Sequence, residues 1–111
     1  MPLKISIDPN KVGVHVMDAW KKGLAVLSEE ILADCNQYCK VDNTGLRSSA
    51  EQHSRPAEGI LIWDTVYAKR QYYEIKTALT PGTTWKWCET AKRKHKSEWI
   101  ELAERLMREN L

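Results

Sequence analysis

The chain has 111 residues, a formal net charge of +2, three cysteines, five tryptophans, four tyrosines and no phenylalanine. This length fits one domain that buries a core without disulfide or metal staples, so we expect residues 1–111 to form a single domain. This net charge is too small to indicate nucleic-acid binding by itself. Three unevenly spaced cysteines are not a disulfide framework.

Two further properties bear on where the protein acts. No apolar run is long enough to span a membrane, and residues 1–9 are too short and too polar for a signal peptide. We therefore expect no membrane partner, and a protein that is kept in the cytosol or built into something assembled there.

A short strand and a long helix are the first predicted elements. Residues 3–7 alternate apolar and polar side chains, which predicts a strand that ends at the turn residues 8–10. Apolar residues then recur at spacings of three and four from about Val12 to about Tyr38, which predicts one long helix with an apolar face. Gly23 inside it either lets another backbone approach closely or is a tolerated surface glycine.

The middle of the chain predicts a hairpin and a short helix. Residues 46–53 and 59–64 flank a turn-rich connector and predict two antiparallel strands, the second buried on both faces. The pair Asp64-Thr65 then caps a short helix over residues 66–75.

The last third predicts a loop and a second long helix. Pro81-Gly82 indicates a turn, and residues 87–107 carry a helical apolar stripe. The resulting fold class is α+β: a small, mainly antiparallel sheet packed against a long N-terminal helix, a short middle helix and a C-terminal helix.

One loop resembles a catalytic segment but lacks its chemistry. Asn43-Thr44-Gly45 differs from the Asp-Thr-Gly of aspartic proteases because an amide stands where the paired carboxylate must be. Asp42 is one residue early, and no second copy of the segment exists. We interpret the loop as a bend in which Gly45 takes a dihedral that other residues avoid.

Three cysteines and a histidine are the candidate metal ligands. Cys35 and Cys39 share a helix face, as do Cys88 and His95, and four such ligands can hold zinc in a metal-dependent enzyme. The spacing matches no metal motif, and buried cysteines behave as small hydrophobic residues. We favour core packing and expect no cofactor, no metal and no catalytic residue, since nothing assembles into a triad.

A dense basic run and an aromatic set are the candidate contact residues. The run contains the possible DNA-facing residues Lys92, Arg93, Lys94 and Lys96, and it predicts either a small DNA-binding module or, as we favour, a solvated helix face. The aromatic set is rich in tyrosine and arginine, a composition enriched at protein–protein contacts. Its members are Tyr67, Arg70, Tyr72, Tyr73, Trp85 and Trp87. The alternative is that half of them cover the small core.

Five stretches, taken in order, resemble the phage minor capsid protein family, which is grouped with the head–tail connector and tail-completion proteins of long-tailed phages. The resemblance covers nearly the whole chain. The stretches are LADCNQY, DNTGLRSSA, GILIWDTVYAKRQYYE, PGTTWKW and AKRKHKSEWIELAE.

The resemblance implies a structural virion protein with no catalytic residues, assembled in the bacterial host cytoplasm and placed at the head–tail junction or tail end. It implies a ring of identical copies, often six-fold, with other neck and tail proteins as partners and non-specific DNA contact in the channel. In the family, the segment from Thr44 to Ser49 opens a strand, which adds Arg47 to the candidate interaction residues. Tyr67-Ala68 opens the short helix.

Overall fold

The computed structural model describes residues 2–7, 18–41, 45–78 and 80–109, with side chains from Gly23 onward in the first helix. A two-stranded antiparallel sheet and four helices confirm the predicted α+β class. In chain order the elements are β1 (Leu3–Ser6), α1 (Asp18–Tyr38), α2 (Leu46–His53), a 3-10 helix (Pro56–Glu58), β2 (Ile60–Trp63), α3 (Ala68–Tyr73) and α4 (Trp87–Glu109).

The sheet joins the N-terminus to the middle of the chain. β1 pairs antiparallel with β2, and Leu3 lies opposite Trp63. Leu3, Leu61 and Trp63 are buried, whereas Ile60 and Ile62 are half-buried. The prediction that this strand is buried on both faces is therefore wrong: one face packs into the core and the other is only partly covered.

The predicted hairpin is also wrong, because residues 46–53 form helix α2 and not a strand. Leu46, Ser49 and Ala50 are its buried residues, and their spacing of three and four is helical. Gly45 precedes the helix in the left-handed conformation at φ +74°, as expected for this bend. The strand that the family resemblance implied at this segment is thus replaced by a helix. Residues 42–44 lie outside the described residues.

The short helix and the second loop follow the prediction more closely. α3 begins at Ala68, but its N-cap is Tyr67 without a side-chain cap, so the predicted cap by Asp64-Thr65 is wrong. The Pro81-Gly82 turn is confirmed, because Thr83 N donates to Thr80 O at 3.2 Å and Gly82 takes φ +83°.

The two long helices, α1 and α4, pack against each other along the core. Gly23 is buried at their contact, and a Cβ atom added there would lie 2.9 Å from the Leu106 Cβ. The glycine therefore permits the close approach that the sequence left open. Both helices contribute buried residues to one core cluster, among them Leu27, Ile31, Cys35, Ala91, Trp99 and Ala103. The predicted beginning of the first helix, at residues 12–17, lies outside the described residues.

We expect Gly23→Ala to lower the free energy of unfolding by up to about 2 kcal/mol. Overpacking against Leu106 costs about 1–3 kcal/mol, and alanine returns about 1 kcal/mol of helix propensity. Urea denaturation measures the change. In a Leu106→Gly background the clashing Cβ is gone, so Gly23→Ala should be neutral or stabilising there. Equal costs in both backgrounds would contradict a contact between these two positions.

Candidate functional site

Two members of the predicted aromatic set lie in the core. Tyr72 is 2% exposed and Trp87 is fully buried. Their rings meet edge to face with centroids 4.7 Å apart, and the Trp87 ring meets that of Trp63 at 5.9 Å. These two side chains are covered within the chain and stabilise its own packing.

The exposed members surround α3. Tyr67 is 59% exposed and Tyr73 is 49% exposed. Together with exposed Val66, Lys69 and Arg70 they form what we call the α3 surface. The Tyr73 ring packs edge-on against buried Tyr72, with centroids 4.7 Å apart. An exposed ring held against a core ring loses less freedom on binding a partner, which favours affinity.

Trp85 lies beside this surface. The backbone N–H of Lys86 donates to Tyr72 O at 3.0 Å, which docks the segment onto the end of α3. The ammonium groups of Lys76 and Lys86 lie 5.2 Å and 4.7 Å from the Trp85 ring centroid. These cation–π contacts fix a half-buried indole next to two positive charges.

Arg47 makes contacts within the chain. Its Nε donates to Cys39 O at 2.9 Å, and its Nη2 donates to Gln37 O at 3.3 Å. Both acceptors lie at the end of α1, where main-chain carbonyls carry the partial negative charge of the helix dipole. The side chain therefore fastens α2 to the C-terminus of α1.

The basic run lies on α4 with its four candidate side chains exposed. Arg93 Nη2 donates to Thr90 Oγ1 at 3.2 Å, and the Lys94 ammonium lies 5.0 Å from the Tyr38 ring centroid. The exposure agrees with a solvated helix face and leaves these cations on the surface.

None of the three cysteines is in a disulfide, and they do not join His95 as a ligand set. The Cys88 thiol lies against Cys35 and Tyr72. In contrast, His95 Nε2 lies 2.9 Å from the Tyr38 hydroxyl and its Nδ1 lies 2.7 Å from Glu98 Oε2. Within the described part of the chain, no cysteine belongs to a group of three or more close potential ligands.

Burial governs the ionisation of this region. It raises the pKa of the Cys88 thiol, and hydrogen bonding and charge from Cys35 add to the rise. Burial likewise raises the pKa of Tyr72, with Cys88 and Glu89 adding to the effect. Both groups stay neutral at neutral pH, whereas a cysteine nucleophile or metal ligand must be a thiolate.

Sequence reasoning missed several polar side chains that hold the core in place. Asn36 Oδ1 accepts from Trp63 Nε1 at 3.0 Å. Buried Lys40 donates from Nζ to Gln71 Oε1 at 3.2 Å and to Ile75 O, and burial lowers its pKa. The role of Asn36 could have been predicted from the sequence, because this residue lies next to the apolar stripe of α1. No sequence pattern predicts the role of Lys40, because its partners are in α3 and the loop beyond it.

The comparison with protein families identifies the chain. The profile described as minor capsid protein matches residues 3–107. The chain therefore belongs to the minor capsid protein family and is a structural phage protein, a component of the virion. Curated proteins and solved structures yielded no match. None of the described helices combines the length and apolar character that crossing a membrane requires.

We expect the protein to lose stability as the pH rises above about 9, and more steeply above about 10. The raised pKa values mean that the folded state holds the Cys88 and Tyr72 protons more tightly than the unfolded chain. Their contribution is therefore complete below the unfolded-state values of 9.0 and 10.0 and is lost as the pH rises above them. Urea midpoints measured across this range test the slope.

Tyr72→Phe keeps the buried ring and removes the titrating hydroxyl, so its midpoint should fall less steeply with pH than that of the wild type. At neutral pH the hydroxyl does not titrate, so the difference between the two urea midpoints there measures the effect of the substitution on packing. An identical alkaline slope in both would show that Tyr72 does not contribute.

Proposed function

We propose that this minor capsid family member acts at the head–tail junction or tail end, where it completes the neck or tail by binding copies of itself and neighbouring neck and tail proteins. The observation that carries the proposal is the α3 surface. It presents exposed Tyr67, Arg70 and Tyr73 above a rigid aromatic core, and these residue types dominate interface energetics.

The charge pattern of α4 supports assembly as a ring, for which we propose six copies. A closed ring uses a heterologous contact, in which two different surfaces of one chain must be complementary. The exposed cations at positions 92, 93, 94 and 96 are followed on the same helix by exposed Glu98, Glu101 and Glu104, and these by exposed Arg105 and Arg108. Successive blocks of opposite charge give neighbouring copies complementary surfaces to pair.

The test uses a phage that lacks this gene and is complemented with variants of the protein. It compares substitutions of exposed tyrosines with a substitution of a buried one. We expect Tyr67→Ala combined with Tyr73→Ala to change stability by about 1 kcal/mol, because only exposed contacts and one edge-on ring pair are lost. In complemented lysates viewed by electron microscopy, this variant should leave filled heads and unattached or misterminated tails. Tyr72→Ala, in contrast, should destabilise the chain by about 3–5 kcal/mol.

Val41→Ala is the matched control, because Val41 is also an exposed apolar residue but lies outside the α3 surface. It should restore normal particles. A folded Tyr67/Tyr73 variant that joins heads to tails would disprove the assigned surface. Empty or malformed heads in the deletion phage would indicate that the protein acts in the capsid and not at the head–tail junction.

A second candidate function is non-specific DNA contact through the basic run, supported by the exposure of its four cations on one helix. It is compatible with a ring around DNA. Each phosphate contact contributes about −0.9 to the slope of log K against log salt concentration. We expect wild-type binding to duplex DNA with such a slope, and a shallower one by about 2–3 after replacing Lys92, Lys94 and Lys96 with alanine.

Lys4→Ala changes one exposed lysine on β1 and should leave the salt slope unaltered. Fluorescence anisotropy with a short duplex at several salt concentrations provides the measurement. Absence of binding at low salt, or binding without a salt slope, would remove this candidate.

A further inference from the structure

Three potential metal ligands meet at the contact between the long helices. Asp34 comes from α1, and His95 and Glu98 come from α4, where a spacing of three places them on one face. One ligand atom from each residue lies within 4.8 Å of the other two. Ligand bonds of about 2.1 Å in a tetrahedral site separate the donor atoms by about 3.4 Å. Small side-chain rotations therefore suffice to close the three atoms around one ion.

The buried carboxylate of Asp34 is stabilised if a positive charge lies next to it. Asp34 is 6% exposed, and its carboxylate accepts a hydrogen bond from Trp99 Nε1 at 2.7 Å. The carboxylates in ion pairs within the described ranges are those of Asp64, Glu58, Glu98 and Glu109, so no Lys or Arg described there pairs with Asp34. Buried charges in proteins are paired or coordinate metals.

The surrounding hydrogen bonds orient the ligands as metal sites require. The Tyr38 hydroxyl lies 2.9 Å from His95 Nε2, which leaves Nδ1 facing Glu98 Oε2 at 2.7 Å. The Trp99 indole donates to Asp34 Oδ2 at 2.7 Å and so orients this carboxylate between the two helices. Outer partners of this type fix the ring orientation and the tautomer of a metal-binding histidine.

We propose that Asp34, His95 and Glu98 bind a divalent transition-metal ion, with zinc as the first choice, that clamps α1 to α4. One imidazole and two carboxylates suit zinc, whereas magnesium and calcium prefer oxygen ligands alone. A surface cavity of about 650 Å³, lined in part by Glu30, Glu98 and Trp99, opens beside the site. Because Glu98 lines this cavity, an ion can reach the Glu98 side of the site from solvent.

Calorimetric titration of metal-free full-length protein with Zn²⁺ tests the proposal. We expect one ion per chain and a rise in Tm with zinc concentration, because the ion binds the folded state. His95→Gln and Glu98→Gln should each weaken binding by about tenfold or more. Glu98 has an exposed side chain, so its variant remains informative if replacing buried Asp34 prevents folding.

His53→Gln is the matched control, because His53 also lies near a carboxylate, 3.8 Å from Asp64, but outside the cluster. Its zinc affinity should equal that of the wild type. Titration with Co²⁺ distinguishes the cysteines, since thiolate ligands produce a charge-transfer band that nitrogen and oxygen ligands do not. A thiolate band, zinc binding unchanged in both ligand variants, or no binding would overturn the proposal.

Discussion

The close packing of α1 on α4 is the constraint on which the rest of the structure depends. Gly23 allows it, because any side chain at that position would meet Leu106. The hydrogen bond from Trp99 to Asp34 and the contact of Tyr38 with His95 both cross between these helices. A change in their separation would therefore disturb the core and the polar contacts together, as expected for an interior packed like a crystal.

The aromatic residues divide between core and surface in a way that explains how a small protein can offer a firm contact area. Tyr72 is covered while its neighbour Tyr73 is exposed, and their rings touch. Through Tyr72 and Trp87 the exposed ring is supported by the sheet residue Trp63. Support of this kind reduces the conformational entropy that a partner must remove on binding.

Polar side chains in this protein mainly join segments that are distant along the chain. Arg47 ties α2 to the end of α1, and Lys40 ties the same end to α3 and the loop beyond it. Burial holds the Cys88 thiol in its neutral form, which favours packing over nucleophilic chemistry. This use of polar groups agrees with the structural role of the minor capsid protein family.

The sequence by itself determined the long helices, the first strand and the Pro81-Gly82 turn, because apolar periodicity and turn chemistry are local properties. Only the tertiary structure decided that β2 pairs with β1, since strand pairing between distant segments leaves no local signature. It also decided that residues 46–53 are helical and that Tyr72, not Tyr73, is buried. The grouping of Asp34 with His95 and Glu98 likewise arises only when α1 packs against α4. Each outcome follows from how helices and strands dock, and docking is set by contacts between residues far apart in the chain.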